Sequence, residues 1–317
     1  MRVGVRIPCE RPSGRLVELA RMADRVGVDE LWVVEDCFYA GAIATAATAL
    51  AVTERVTVGI GVLPAVARNA AIVAMELAAL AEMHPGRLIA GFGHGVASWM
   101  RQIGAFPPSQ LAALEETLLA VRALLAGERV STSGRQVRLD DVVLEFPPSV
   151  VPKVVAGVRG PKSLALSGRS ADGTILAEPA APEYVVAARE KIAAAAHEVI
   201  TYNWLALDDD PARARERARA SVASSVSPGG VEHLRPLPFG AEVVELVESG
   251  ADVAEGLRPE WVEHLSVSGT LEQCVAKVEA LGAAGADSVV LLPLLDEPEE
   301  TTIAAAGLIA ERVRGNR

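Results

Sequence analysis

Two strand-like runs between residues 55 and 95, RVTVGIGV and RLIAGFGHG, each close on clustered glycines: Gly59 and Gly61 in the first, Gly91, Gly93 and Gly95 in the second. Without a Cβ, such positions accept unusual backbone angles and let a flat or anionic ligand lie against the main chain. Neighbouring parallel strands that end in this way make a floor for a cofactor. Taken alone, G-x-G after a strand more often marks a tight turn than a nucleotide site. His94, held between two of these glycines, has an ordinary pKa suited to proton transfer near neutrality; a structural hydrogen bond is its other reading. A third segment, AGVRGPKS at 156–163, gathers Gly157, Arg159, Gly160 and Lys162 at the start of a helix opened by Pro161. Free amides beside a guanidinium make an anion nest there. The alternative for Arg159 is a surface ion pair.

Positioning these groups falls to a repeating set of elements. VGVRI (3–7) leads to a run from Ser13 to Val26 in which Leu16, Leu19, Ala20 and Ala23 recur at helical spacing. GVDELWVVE follows, and the same transition returns as SADGTILAE (170–178) and GADSVVLLP (285–293). A small residue closes a helix, Asp opens a turn, and a β-rich strand follows. Strands are expected at 3–7 and near 30–35, 55–61, 87–92, 153–157, 173–177, 199–206 and 287–292. Ala/Leu/Glu-rich helices are expected at 69–83, 109–126, 183–197, 211–224, 270–284 and 299–313. Eight apolar strands, each followed by a helix, predict an α/β fold of the (β/α)8 TIM barrel kind; a doubly wound open sheet is the alternative. A single domain over 1–317 is expected, with two interruptions. Residues 128–148 alternate polar and apolar around Ser133 and Gly134, predicting a β-hairpin before strand 5. Residues 225–266, rich in Pro and Gly, form a long insertion between strands 7 and 8, either a wall of the substrate site or a helical appendage for dimer contact.

Bulk properties narrow the function. In 317 residues, half of them apolar, there is ample material for a core. The formal charge of −11 argues against general affinity for nucleic acid or an anionic membrane. Cys9, Cys37 and Cys274 are odd in number and lack metal-like spacing, so neither a disulfide framework nor a zinc site is expected. MRVGVRIP is too short an apolar stretch before Pro8 for a signal peptide, and no later run keeps eighteen apolar residues. The expectation is a soluble, cytoplasmic protein without bound metal, acting on a small molecule.

The succession WVVEDCF, ERVTVGIGVLP, PGRLIAGFGHG and PKVVAGVRGPKSLALSGRSADGTILAE resembles the luciferase-like flavin and deazaflavin oxidoreductases. Within that superfamily it is most similar to coenzyme F420-dependent enzymes of the methylenetetrahydromethanopterin reductase type. The likeness covers about residues 1–205, and 265–295 more loosely. It implies F420 as cofactor, with FMN as alternative, and a cis peptide between Gly61 and Val62 beneath the cofactor ring. It implies close backbone approach at Gly91, Gly93, His94 and Gly95. The phosphate-bearing tail would lie at Gly157, Arg159 and Gly160 and at Ala177 and Glu178, where Glu178 bonds a ribityl hydroxyl or positions Arg159. Candidate catalytic groups are Glu35, Asp36 and His94, with Asp36 also near the cofactor. Cys37, Tyr39 and Trp99 are candidate substrate walls, core packing being the other reading of Trp99.

Two departures limit the likeness. Many F420 enzymes carry Asp-His where this chain has Asp36-Cys37, and sugar-phosphate-oxidising members carry an acid where it has Val96. Glucose 6-phosphate oxidation is therefore not expected. The resemblance implies hydride transfer to or from a small organic substrate. An FMN-dependent monooxygenase and a non-catalytic flavin-binding relative are the alternatives. It further implies a homodimer through the Ala-rich segments 40–51 and 69–83, whose small-residue surfaces equally suit helices packed on the barrel.

Overall fold

The computed structural model describes residues 1–227 and 230–316; Pro228 and Gly229, inside the expected insertion, lie outside the described residues. Eleven strands occur there: β1 (Arg2–Ile7), β2 (Glu30–Val33), β3 (Thr57–Pro64), β4 (Leu88–Gly93), β5 (Val130–Ser133), β6 (Arg138–Val142), β7 (Lys153–Gly157), β8 (Gly173–Leu176), β9 (Glu198–Leu207), β10 (Val267–Gly269) and β11 (Ser288–Leu292). Eight of them pair in parallel in the order β9-β11-β1-β2-β3-β4-β7-β8, and β8 returns to β9. That last pairing closes the sheet into a (β/α)8 barrel and excludes the open doubly wound alternative. β5 and β6 form the antiparallel hairpin expected before the fifth barrel strand. β10 adds to β9 at the end of the long insertion between the seventh and eighth.

The barrel strands read as mainly apolar runs because both their faces are covered, with Arg6, Glu30 and Asn203 among the polar exceptions. Side chains alternate between two cores. On β2, Leu31 and Val33 face the helices, while Trp32 points into the barrel; on β9, Ile200, Tyr202, Trp204 and Ala206 point inward. Trp32 is fully buried and needs room. A Cβ on Gly59 would land inside its indole ring, so this glycine serves the barrel interior and not a ligand, contrary to the expectation from spacing.

Most helices begin and end where the pattern predicts. The exception is the run expected over 183–197, which stops at Ile192; Ala193 takes a left-handed φ of 53° and turns the chain toward β9. Within the insertion, the short helix Pro259–His264 packs on the helix Pro211–Ser224, and Trp261 joins Ala214, Ala218 and Val222 in one buried cluster to which the helix Gly240–Glu248 adds Val243 and Val247. The insertion is thus clamped to the barrel beside its mouth. Among the described residues, no helix is long and apolar enough to cross a membrane.

Candidate active site

A cavity of about 930 Å³ opens at the C-terminal ends of the barrel strands, the end at which a parallel barrel presents its loops. Its floor is built by glycines around one side chain. The Gly61–Val62 peptide is cis, and Val62 lies over β4 and β7. A Cβ on Gly93 would come within 2.7 Å of Val62 Cγ2, and one on Gly157 within 2.6 Å of Val62 Cγ1. Gly91 sits below, where a Cβ would strike the Ile60 carbonyl and crowd Ile175. Gly95, at φ 72°, turns the chain into the helix Ala97–Gln102 and leaves room for Met100.

One side of the mouth is acidic. Asp36 stands beside Cys9, whose Sγ is 3.9 Å from its Oδ2. Burial, then the nearby Glu10, raises the Asp36 pKa; Arg6 opposes the rise. Arg6, from β1, pairs with Glu178 at 3.2 Å and lies over Tyr202 and Trp204 at 5.9 and 5.7 Å. A side chamber of about 290 Å³ shares Arg6, Asp36 and Glu178 with the main cavity. Cys9, Glu10 and Asp36 hold donor atoms within 4.8 Å of one another. Because burial pushes the Cys9 thiol up to about 12, it remains a hydrogen-bond donor to Asp36.

The opposite side is basic. Arg159 reaches the carbonyls of Gly230 and Glu178 at 3.4 Å each, and its Nε is buried without a partner among the described residues. Next to it the helix Pro161–Ser170 starts at Gly160 with no side-chain cap, leaving amides available to an anion. Tyr184 donates to the Arg159 carbonyl at 3.1 Å. His233 packs edge-on to Tyr184, and burial, followed by Arg159, pushes its pKa down to about 3.

Two acid/base candidates are tied into the frame. Glu35 takes a bidentate pair from Arg68 at 2.5 and 2.7 Å and accepts the Ala42 amide at 3.0 Å, fixing the start of the helix Ala42–Ala51. His94 lies 3.2 Å from the Gln110 carbonyl through Nδ1 and 3.0 Å from Ser163 Oγ through Nε2. A carbonyl only accepts, so Nδ1 carries the proton and Nε2 accepts from Ser163. Burial lowers the His94 pKa and favours this neutral form.

Of the residues singled out from the sequence, Glu35, Asp36, Gly61, Val62, Gly93, His94, Gly95, Trp99, Gly157, Arg159, Ala177 and Glu178 line the cavity. Gly91 lies beneath its surface and Gly160 at the neighbouring helix start. Neither Cys37 nor Tyr39 is on the lining: Cys37 packs with Trp99 on Val66, Met100 and Ala113, and Tyr39 is 55% exposed. Sequence reasoning missed Arg6, Tyr202, Ser225, Ser227 and Gly230, all of which line the cavity. A single polar residue inside an apolar strand was the available signal for Arg6. The last three show that the insertion reaches the cavity wall.

Residues 1–288 match the luciferase-like monooxygenase family. The chain is 25% identical to 5,10-methylenetetrahydromethanopterin reductase of Methanolobus tindarius, over 97% of this chain and 98% of that protein. It is similar in structure to the coenzyme F420-dependent tetrahydromethanopterin reductase of Methanopyrus kandleri, with TM-score 0.80 and 20% identity over 96% of this chain and 97% of that one. An F420-dependent secondary alcohol dehydrogenase, solved with an F420-acetone adduct, gives TM-score 0.79 and 22% identity over 100% and 99%.

Proposed function

The chain belongs to the luciferase-like monooxygenase family, and from that premise we propose that it is an oxidoreductase that uses coenzyme F420 to transfer a hydride to or from a small organic substrate. The observation that carries this reading is the floor made by Val62 over Gly93 and Gly157, placed between an acidic rim at Asp36 and a basic end at Arg159. The residues present fit such a cofactor. A planar ring has a flat apolar seat on Val62, and a phosphate has the unpartnered Arg159 Nε and the uncapped helix start at Gly160. When bound there, F420 supplies the hydride chemistry.

The protein's own part is binding, orientation and one proton. Glycines at 93 and 157 let Val62 sit low in the floor, and Gly61 leaves room for the Tyr202 hydroxyl. Trp99, Pro64 and the insertion's Ser225 and Ser227 wall the cavity, which excludes water from the reacting faces. Asp36 is the group we assign to proton transfer, since burial raises its pKa toward the working range and it faces the cavity. Glu35 and His94, both engaged by neighbours, orient the loops after β2 and β4. The dimer contact we place on the helices Ala42–Ala51 and Ala70–Met83, where Ile72 and Met75 are about half exposed, at 51% and 54%.

A second reading, FMN-dependent monooxygenation, is favoured by the family's own description. A turnover panel separates the two. F420 absorbance is followed with secondary alcohols, enones and imines, and oxygen uptake is followed with reduced FMN. Substrate-dependent F420 oxidation or reduction supports the proposal; oxygen uptake coupled to substrate with FMN alone overturns it.

A further inference from the structure

Tyr202 lies on β9 and points into the barrel, with only 4% of its surface exposed. Its ring meets Trp32 edge-on at 5.9 Å and carries the Arg6 guanidinium at 5.9 Å. The hydroxyl, by contrast, is buried with no hydrogen-bond partner among the described residues. Buried hydroxyls without partners are rare in folded proteins, and packing alone would be served as well by Phe.

The place of that hydroxyl is kept open by the strand across from it. An added Cβ at Gly61 would land on the Tyr202 oxygen. Gly61 and Tyr202 both line the cavity, and the phenol oxygen is buried against Gly61, next to the floor that carries Val62. Around it Asp36 takes the Cys9 thiol and Glu30 takes Trp32 and Ser288 at 2.8 and 2.7 Å; Arg6 pairs with Glu178 through Nη1, while its Nε, like the Tyr202 hydroxyl, has no hydrogen-bond partner among the described residues.

We propose that the Tyr202 hydroxyl reads the cofactor, donating a hydrogen bond to a carbonyl oxygen or ring nitrogen of the heterocycle that lies on the Gly61–Val62 floor. This rests on the reading of the cavity as a flavin-type or deazaflavin site. Burial raises the Tyr202 pKa, and Glu178, Glu30 and Asp36 add to the rise against the opposing Arg6, so the phenol keeps its proton and acts as donor at all working pH values. Placed beneath the ring's edge, it fixes the rotation of the heterocycle within its plane.

The test is Tyr202→Phe, which keeps the ring, titrated with F420 and FMN beside the wild type, together with the melting temperature of both ligand-free proteins. The expected result is about 3- to 10-fold weaker cofactor affinity, the scale of one neutral hydrogen bond, and a changed absorption maximum of the bound cofactor. The ligand-free melting temperature stays the same or rises, because an unsatisfied buried polar group has been removed. Equal affinity in the two proteins overturns the assignment. So does a ligand-free melting temperature lowered by several degrees, which would give the hydroxyl to the fold. A wild type that binds neither cofactor overturns the reading of the site itself, and the assignment with it.

Discussion

Val62 occupies the hollow left by Gly157: a Cβ at residue 157 would stand 2.6 Å from Val62 Cγ1, well inside contact distance. The two residues come from strands separated by β4, and their fit sets the height of the cavity floor. Gly157→Ala should therefore lift Val62 into the cavity, at a cost of about 1–3 kcal/mol in stability from overpacking, and weaken cofactor binding at least tenfold. Combined with Val62→Ala, which removes both Cγ atoms, much of the stability loss should be recovered. Chemical denaturation of the two single variants and the double variant measures the coupling.

Asp36→Asn tests the proton-transfer assignment. Loss of a general acid or base typically lowers turnover by about 10²–10⁴-fold, with cofactor affinity much less affected. Ionisation of Asp36 costs the folded state, since burial raises its folded pKa above the unfolded value. That cost is absent below the unfolded pKa and fully present above the folded one. The Asn variant should thus melt higher than wild type at pH 7, and the difference should vanish as pH falls toward the unfolded Asp value. In the substrate-reducing direction, wild-type kcat/KM should fall as pH rises through the raised Asp36 pKa, and this limb should be missing in the variant.

Glu35→Gln should behave differently, as a lesion of structure. It loses the charge that holds Arg68 and weakens the bond to the Ala42 amide, each a charge-assisted contact on the scale of about 1.5–3 kcal/mol. A lowered melting temperature with KM raised more than kcat is lowered is the expected pattern. A kcat loss as large as that of Asp36→Asn, at unchanged stability, would return Glu35 to the proton-transfer role.

How much of this was legible before the structure differs by element. The eight barrel strands were readable because strands covered on both faces must be mainly apolar, and the hairpin at β5–β6 because an exposed pair must alternate. The glycines were readable as special, but not for which neighbour. Gly59 makes room for Trp32 and Gly61 for the Tyr202 hydroxyl, and Tyr202 follows Gly61 by more than a hundred residues, so only barrel closure reveals that pair. Glu35 and His94 were chosen by chemical type, while their engagement by Arg68, Gln110 and Ser163 depends on how three loops and helices meet. Ser225, Ser227 and Gly230 carry no motif and reach the cavity because the insertion packs on Trp204 and the helix Pro211–Ser224.

His233 predicts an acid weakness in the insertion. Its folded pKa is pushed down to about 3 by burial and Arg159, below the unfolded value near 6.5. The folded state therefore binds fewer protons, and stability is lost as pH falls below about 6.5 and on toward 3. His233→Gln should reduce the fall in melting temperature across that window. Limited proteolysis at pH 4.5 should cut wild type within the insertion sooner than the variant.

The most direct measurement is a parallel titration of the ligand-free protein with F420, FMN and riboflavin, following fluorescence and fitting the dissociation constants. Selective binding of F420 is the expected result, weakened about 10- to 100-fold by Arg159→Ala through loss of a charge-assisted phosphate contact, with riboflavin binding weak and unchanged. Selective binding of FMN, or no binding of either phosphorylated cofactor, would contradict it.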